Sequence, residues 1–328
     1  TSRFLICLFL LVQVICQTRS FCYNQRMILL TGGTGFISGV MREQLTRLAM
    51  PYRLLLSATP TPVFFKDGEA VNLAVSSLED ERGLRAALTG VDYVYHLSGI
   101  ERLGAKGGLH EKEIREIDTL VKVANDLGVK RFFYLSHIGA DRASAYGLMK
   151  AKGIAENRIV SSGLNYTILR TGLVYGQQDE FTQSLARLIR LLPMFVFVPG
   201  DGKMLTQPLW VEDLVTSLIW ALDLKSTERS ILSVGGPEHL GFQELLEIIA
   251  KTINKRPKIV HLNTVQFGIL TQFLQRFVKD YPVNTFWFDY LAENRVAALD
   301  SMSRYFGINP ARFSQQIDYL KKDKINRR

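Results

Sequence analysis

The sequence predicts an α/β fold: a doubly wound parallel sheet with a smaller, mostly helical C-terminal lobe. Two observations carry this expectation. Between residues 26 and 176 six short apolar stretches alternate with helical ones, and alternation at this spacing implies a parallel sheet covered on both faces. The strand stretches are apolar nearly throughout, as burial on both faces demands. Beyond residue 176 the alternation gives way to helical segments, and the last 70 or so residues read as helical and rich in aromatics.

Taken in order, "RMILLTGGTGFISGVMREQLTRLAM" (26–50) reads as a strand, a glycine-rich turn and a helix. "YRLLLSA" (52–58) and "AVNLAVSSL" (70–78) read as the second and third strands, followed by a helix over 79–88. "VDYVYHLSG" (91–99) is the fourth strand, 110–128 a helix ending at Gly128, and "VKRFFYLS" (129–136) the fifth strand. Residues 145–161 form a further helix, and "LNYTILRTGLVYG" (164–176) the sixth strand with its exit loop. Then come a helix stopped by Pro193 (179–193), a loop and helix (199–223), and a strand, turn and helix (231–253). The expected division is a nucleotide-binding domain over 27–176 and a smaller substrate or partner lobe over 177–328, with 207–234 returning to the first domain.

Composition narrows the function classes. The 328 residues are 47% hydrophobic and 22% charged, the balance of an ordinary globular protein. The net charge is +9, but Lys and Arg are dispersed and no run resembles a nucleic-acid motif. A solvated basic surface that suits an anionic cofactor is the reading. Cys7, Cys16 and Cys22 all precede Met27, and the body of the chain has no cysteine, so no disulfide scaffold is expected. The five histidines show no ligand spacing, and no metal site is expected. "RFLICLFLLVQVIC" (3–16) is an apolar run behind one arginine, shaped like the apolar part of a signal peptide. Residues 1–26 are read either as sequence upstream of a start at Met27 or as a cleaved export segment. The rest is expected in the cytoplasm, with the apolar segment leaving membrane association open.

The turn "LLTGGTGFISG" (29–39) carries the first chemistry. It follows a buried strand and opens a helix, a context that raises it above a bare glycine pattern. Gly32 permits the tight turn, Gly35 lets the backbone approach a pyrophosphate, and the helix N-terminus meets the phosphate charge. This is a Rossmann-type dinucleotide signature, and it implies NADP or NAD as cofactor. The third small position falls on Ser38, with Gly39 one step late.

With these residues in view, the chain resembles the extended or atypical branch of the short-chain dehydrogenase/reductase superfamily. The resemblance rests on "TGGTGFIS" (31–38), "GVDYVYHLSG" (90–99), "GVKRFFYLSHIGA" (128–140), "KGIAE" (152–156) and "SGLNYTILRTGLVYG" (162–176). It continues through "QPLWVEDLV" (207–215) and "VGGPEHLGFQELLEIIA" (234–250). The flavour is similar to NmrA-like proteins and to the nucleotide-binding accessory subunit of respiratory complex I. That neighbourhood holds both reductases and non-catalytic binders. The resemblance therefore implies an oxidoreductase or an epimerase/dehydratase-like enzyme on a small substrate, or else a redox sensor or assembly subunit. The cofactor contacts it implies are Gly32, Thr34, Gly35, Phe36, Ile37, Ser57, Leu97, Ser98, Gly99 and Lys152. Ser57 stands where an acid would select NAD and an arginine NADP, and the missing carboxylate leans to NADP. Ser77 stands where the family often has an aspartate for adenine.

Tyr146 and Lys150 lie four apart and would share a helical face, while Lys152 falls elsewhere on the helix. With Ser136 at the end of the fifth strand they make a candidate proton relay: Tyr146 as acid–base, Lys150 as its partner, Ser136 as carbonyl donor. The resemblance points to a different lysine. In its register, counted from Glu156 and Thr167, the lysine is Lys152 and the tyrosine position is Leu148. His96 and Arg170 are read as packing residues, His137 as a strand cap or pocket liner. Glu212 and Asp213 are expected at a helix start, where their charge suits the dipole. Finally, "VQFGILTQFLQRFV" (265–278) is amphipathic, with Phe267, Leu270, Leu274 and Phe277 on one stripe, and "FWFDYL" (286–291) adds aromatics. Residues 265–291 are read as a lid on the second lobe, or as a surface for a membrane or a partner subunit.

Overall fold

The computed structural model describes residues 26–33, 35–57, 72–97, 109–277 and 290–321. In chain order it begins with β1 (Ile28–Thr31), α1 (Phe36–Arg47), β2 (Tyr52–Leu56), β3 (Asn72–Val75), α2 (Glu81–Leu88) and β4 (Tyr93–His96). Next come α3 (Leu109–Asp126), β5 (Arg131–His137), α4 (Gly147–Ser161), β6 (Tyr166–Thr171), β7 (Val174–Tyr175) and α5 (Glu180–Leu191). They are followed by β8 (Phe195–Pro199), β9 (Leu205–Thr206), β10 (Leu209–Trp210), α6 (Val211–Trp220), β11 (Ser230–Val234) and β12 (Leu240–Gly241). The chain closes with α7 (Phe242–Thr252), β13 (Lys258–Leu262), α8 (Thr264–Phe277), α9 (Ser301–Phe306) and α10 (Phe313–Gln316).

Seven strands form one parallel sheet in the order β11-β6-β5-β4-β1-β2-β3. The chain builds outward from β1 to β3, then returns to place β4 on the other side of β1. In sheets of this kind ligands bind at the carboxyl ends of the strands where the order reverses, here β1 and β4. In register, Ile28 pairs with Tyr52 and Tyr93, and Thr31 with His96. β1 is buried along its whole length, as an interior parallel strand should be.

β3 departs from the expectation of apolar, doubly buried strands. It is the edge of the sheet, and Leu73 and Val75 are exposed, Val75 to 66%. Strand side chains project from the faces of the sheet, and at its edge a face can go uncovered where an interior strand is buried on both. The helix expected over 145–161 starts at Gly147. Ahead of it, the Ser144 hydroxyl accepts the Tyr146 N–H at 3.2 Å and holds the chain in a turn.

The chain divides into two compact units. One gathers Thr1–Gly99, Lys112–Leu135 and Ala155–Ile168; the other Ile100–Glu111, Ser136–Ile154 and Leu169–Arg328. The first has a core of Leu29, Val94, Phe132, Leu120, Ala155 and Ile168, drawn from its strands and from α3 and α4. The second has its own core, in which Val196 and Val198 pack with Leu185, Ile189, Leu245 and Ile249 of α5 and α7. Asp179 caps α5, accepting the Thr182 N–H at 2.6 Å, and also accepts the Tyr319 hydroxyl at 3.0 Å. Burial pushes its carboxyl above the usual range, while those donors pull the other way.

The second unit is less purely helical than the sequence suggests. β8 and β13 pair in parallel, from Phe195↔Lys258 to Pro199↔Leu262. α8 follows β13 after one residue and packs against both strands. Phe267 and Thr271 of α8 are buried and Leu270 and Leu274 partly so, which turns these three apolar positions of the expected stripe toward the unit; the side chain of Phe277 lies outside the described residues. Val265, Ile269 and Phe273 face outward. Residues 278–289 of the expected aromatic surface lie outside the described residues. No helix among the described residues is long and apolar enough to cross a membrane.

Candidate functional site

The glycine turn is built chiefly by the backbone. Gly32 has φ +71, a conformation that favours glycine. Its carbonyl accepts the Gly35 N–H at 2.9 Å, closing the turn, and Gly35 then stands at the N-cap of α1 with no side chain of its own to cap it. The first turn of α1 carries no acid, which suits an anion at the helix N-terminus. Phe36 and Ile37 are partly exposed there. Thr34 lies outside the described residues.

Ser38 sits buried where a third glycine is usual. Its hydroxyl donates to the Gly32 carbonyl at 2.8 Å. The departure is thus a brace across the turn, and the polar group is satisfied rather than stranded. A β-carbon on Gly39 would meet nothing within 4 Å, so close packing does not call for glycine there. Gly33, which carried no role in the sequence reading, is the tight position: a β-carbon there would stand 2.1 Å from Leu54 Cδ1. Beside the turn, Thr31 Oγ1 and His96 Nδ1 share a buried hydrogen bond of 2.7 Å, and the His96 ring stacks on Tyr134 at 5.6 Å. His96 is therefore a packed, partnered residue of the core.

The other expected contacts of the first unit follow the same strand ends. Ser57 is exposed immediately after β2, and Leu97 is buried immediately after β4. Ser98 and Gly99 lie outside the described residues. Ser77 has a local task, because its hydroxyl accepts the Glu79 N–H at 3.2 Å in the turn that leads to α2.

The segment 136–156 is arranged differently. Ser136 is buried near the end of β5, and the next residues are tied to the end of β6 by the Ile138 N–H donating to the Thr171 carbonyl at 2.9 Å. Tyr146 is half-buried and precedes α4; its carbonyl accepts the Lys150 N–H at 2.9 Å, which makes it the N-cap. The Lys150 side chain is exposed. Lys152 is 1% exposed and Glu156 3%, on a face of α4 that also buries Leu148. A charged pair of positions four apart and both out of water is uncommon, because burying charge is costly unless it is paired. Gly153 lets the loop after β5 lie against α4: a β-carbon there would come within 2.4 Å of Asp141 C and 2.5 Å of Arg142 N.

Arg295 completes this region and had no signal in the sequence, since it lies outside any helix or strand. It is buried, and its Nη1 donates to the Ile138 carbonyl at 3.0 Å and its Nε to the Tyr290 carbonyl at 3.2 Å. Gly139, at φ +92, leaves the space that the guanidinium occupies. Gln207 is buried alongside, donating to the Gly236 carbonyl at 2.7 Å and accepting the Ala297 N–H at 2.6 Å. Among the described residues there is no group of three His, Cys, Asp or Glu placed to hold a metal ion.

This geometry agrees with the similarity to known proteins. Residues 32–186 match the model of a family described as NAD(P)H-binding. A mitochondrial NADH dehydrogenase [ubiquinone] 1 alpha subcomplex subunit 9 from Arabidopsis thaliana is 25% identical over 243 residues, 70% of this chain and 59% of that protein. This chain thus spans less than two thirds of that relative's length. An NAD(P)H azoreductase from Xenophilus azovorans is 25% identical over 245 residues, 73% of this chain and 78% of that protein. Among solved structures, the Thermus thermophilus UDP-glucose 4-epimerase in complex with NAD superposes with a TM-score of 0.67 at 21% identity, covering 90% of this chain and 97% of that one. Residues 32–186 thus resemble the NAD(P)H-binding family, and the chain shares the fold of the solved epimerase.

Proposed function

We propose that the chain is an oxidoreductase that moves a hydride between NADP(H) and a small, partly apolar substrate. The observation that carries this is the glycine turn after β1, braced by Ser38 and followed by a first turn of α1 without an acid. The preference for NADP(H) over NAD(H) rests on Ser57, which stands directly after β2 where a carboxylate would repel a 2′-phosphate and hold a 2′-hydroxyl. Of the two lysines, Lys152 is assigned to the nucleotide, because it is the one withdrawn from water. Ser136, Tyr146 and Lys150 are assigned to substrate and proton transfer. The experiment is steady oxidation of NADPH with quinone and azo acceptors, comparing the unaltered chain with Tyr146→Phe. A large loss of turnover with NADPH binding retained supports the relay, and equal turnover removes Tyr146 from it.

A second reading is nucleotide binding without turnover, as in an accessory or assembly subunit. Two observations favour it. Leu148, which can do no proton chemistry, occupies the buried position four before Lys152. The outer stripe Val265, Ile269 and Phe273 of α8 offers an apolar surface to a partner. Under this reading NADPH binds and no acceptor is reduced. Steady turnover by the purified chain would remove it.

A further inference from the structure

Arg295 is 1% exposed, and burying a guanidinium is costly unless its donors and its charge are answered. Here the backbone answers most of it. Beyond the bonds to the Ile138 and Tyr290 carbonyls, the Tyr290 ring centroid lies 5.7 Å from Cζ, and Glu293 Oε2 stands 4.0 Å from Nη2. A planar fork reaches two separate carbonyls from one side chain, and a lysine's compact ammonium does not share that geometry. The main chain around it is anchored as well. The Arg295 N–H donates to the Leu205 carbonyl at 3.0 Å, Asn294 Oδ1 accepts the Leu205 N–H at 2.8 Å, and the Ala297 N–H donates to Gln207 Oε1 at 2.6 Å. The guanidinium therefore projects from a fixed strap, residues 294–297.

Two glycines admit the strap at the carboxyl ends of the neighbouring strands β5 and β6. A β-carbon on Gly139, after β5, would stand 2.3 Å from Arg295 Nη1, and one on Gly172, after β6, 2.9 Å from the Arg295 carbonyl oxygen. The loop after β5 is thereby held on two sides. The Ile138 N–H donates to the Thr171 carbonyl at 2.9 Å, while the Ile138 carbonyl accepts from Arg295. The Ala140 N–H closes on the His137 carbonyl at 3.0 Å, and the Asp141 N–H donates to the Met149 carbonyl of α4 at 3.1 Å. Ser136 and His137 stand immediately ahead of the residue that Arg295 grips. We infer that Arg295 is a positioning residue for the proposed hydride-transfer site: it holds the loop after β5 in one conformation, and through that loop it sets where Ser136 and His137 present their side chains. Its effect on turnover depends on the oxidoreductase reading, and its effect on the loop does not.

The test reads loop and turnover separately, on the full chain, with Arg295→Lys and Arg295→Met. Amide hydrogen exchange, followed by mass spectrometry on the peptide spanning 136–142, should quicken by about tenfold or more in both, and more in Arg295→Met, while the peptides of β1 and α1 stay unchanged. With NADPH and a quinone acceptor, kcat should fall by about tenfold or more in Arg295→Met, with the KM for NADPH within about twofold and partial recovery in Arg295→Lys. A role confined to stability would lower the unfolding midpoint and leave kcat per folded molecule as it was. Should Arg295→Met fail to fold by circular dichroism, Arg295→Lys carries both readings. Unchanged exchange over 136–142 in a folded variant overturns the clamp, whether or not the chain turns over. Quickened exchange with unchanged kcat overturns the positioning role. An unaltered chain that reduces no acceptor counts against the oxidoreductase reading instead, and the exchange rates still decide whether Arg295 holds the loop.

Discussion

The turn 31–38 and the segment 136–156 both bear on the candidate nucleotide chemistry, yet they are built from different materials. In the turn, the groups proposed to meet the ligand are backbone amides, and the buried polar side chains, Thr31 and Ser38, are occupied in holding the frame. In the segment, the proposed work falls on side chains. Two charged ones, Lys152 and Glu156, are buried, while Tyr146 stands at the helix N-cap and Lys150 faces water. A backbone-built site tolerates changes of residue type as long as the turn geometry survives, which is why serine can replace glycine at 38. A side-chain site has no such tolerance. One position's shift in register changes which lysine is buried and whether a tyrosine or a leucine precedes it.

The largest expected effect sharpens this contrast at Gly153. Gly153→Ala drives a β-carbon into the backbone at Asp141 and Arg142, which cannot move aside as a flexible side-chain tip could. Thermal or urea unfolding should show a loss of about 3 kcal/mol. Next is Gly32→Ala. Its φ of +71 strains any other residue by about 1 kcal/mol, and NADPH affinity should fall at least tenfold, read by fluorescence titration. If affinity is unchanged, the turn is not the phosphate site.

The lysines come third. Lys152→Met should weaken NADPH tenfold or more, whereas Lys150→Met should stay within about threefold, each titrated alongside circular dichroism to confirm the fold. The reverse order would return the site to the Tyr146–Lys150 geometry. The smallest effect is Ser38→Ala, which removes the donor to the Gly32 carbonyl. It should cost about 1 kcal/mol of stability and reduce NADPH affinity only a few fold.

Much of this was legible in the sequence because its signals are local. The strand–turn–helix around Gly32 and Gly35 is written in nine or so consecutive residues, and the parallel sheet follows from alternation. What was not legible depends on distant partners. "FVFVP" is a short apolar run that periodicity cannot assign, and it becomes a strand only because Lys258–Leu262 pairs with it. α4 starts two residues later than its pattern suggests because the Ser144 hydroxyl holds the Tyr146 N–H in a turn ahead of the helix. Periodicity separates the faces of Lys150 and Lys152 but does not say which one is buried. Arg295 carries no pattern at all, since its role is set by the Ile138 carbonyl 157 residues away.

The central claim is that the braced glycine turn holds a nicotinamide dinucleotide, with NADPH preferred. Nicotinamide fluorescence, followed while the full chain is titrated with NADPH and separately with NADH, tests it most directly. The account predicts saturable binding of both, tighter for NADPH. No saturable binding of either would contradict it and leave the second unit as the place to look for ligand and partner.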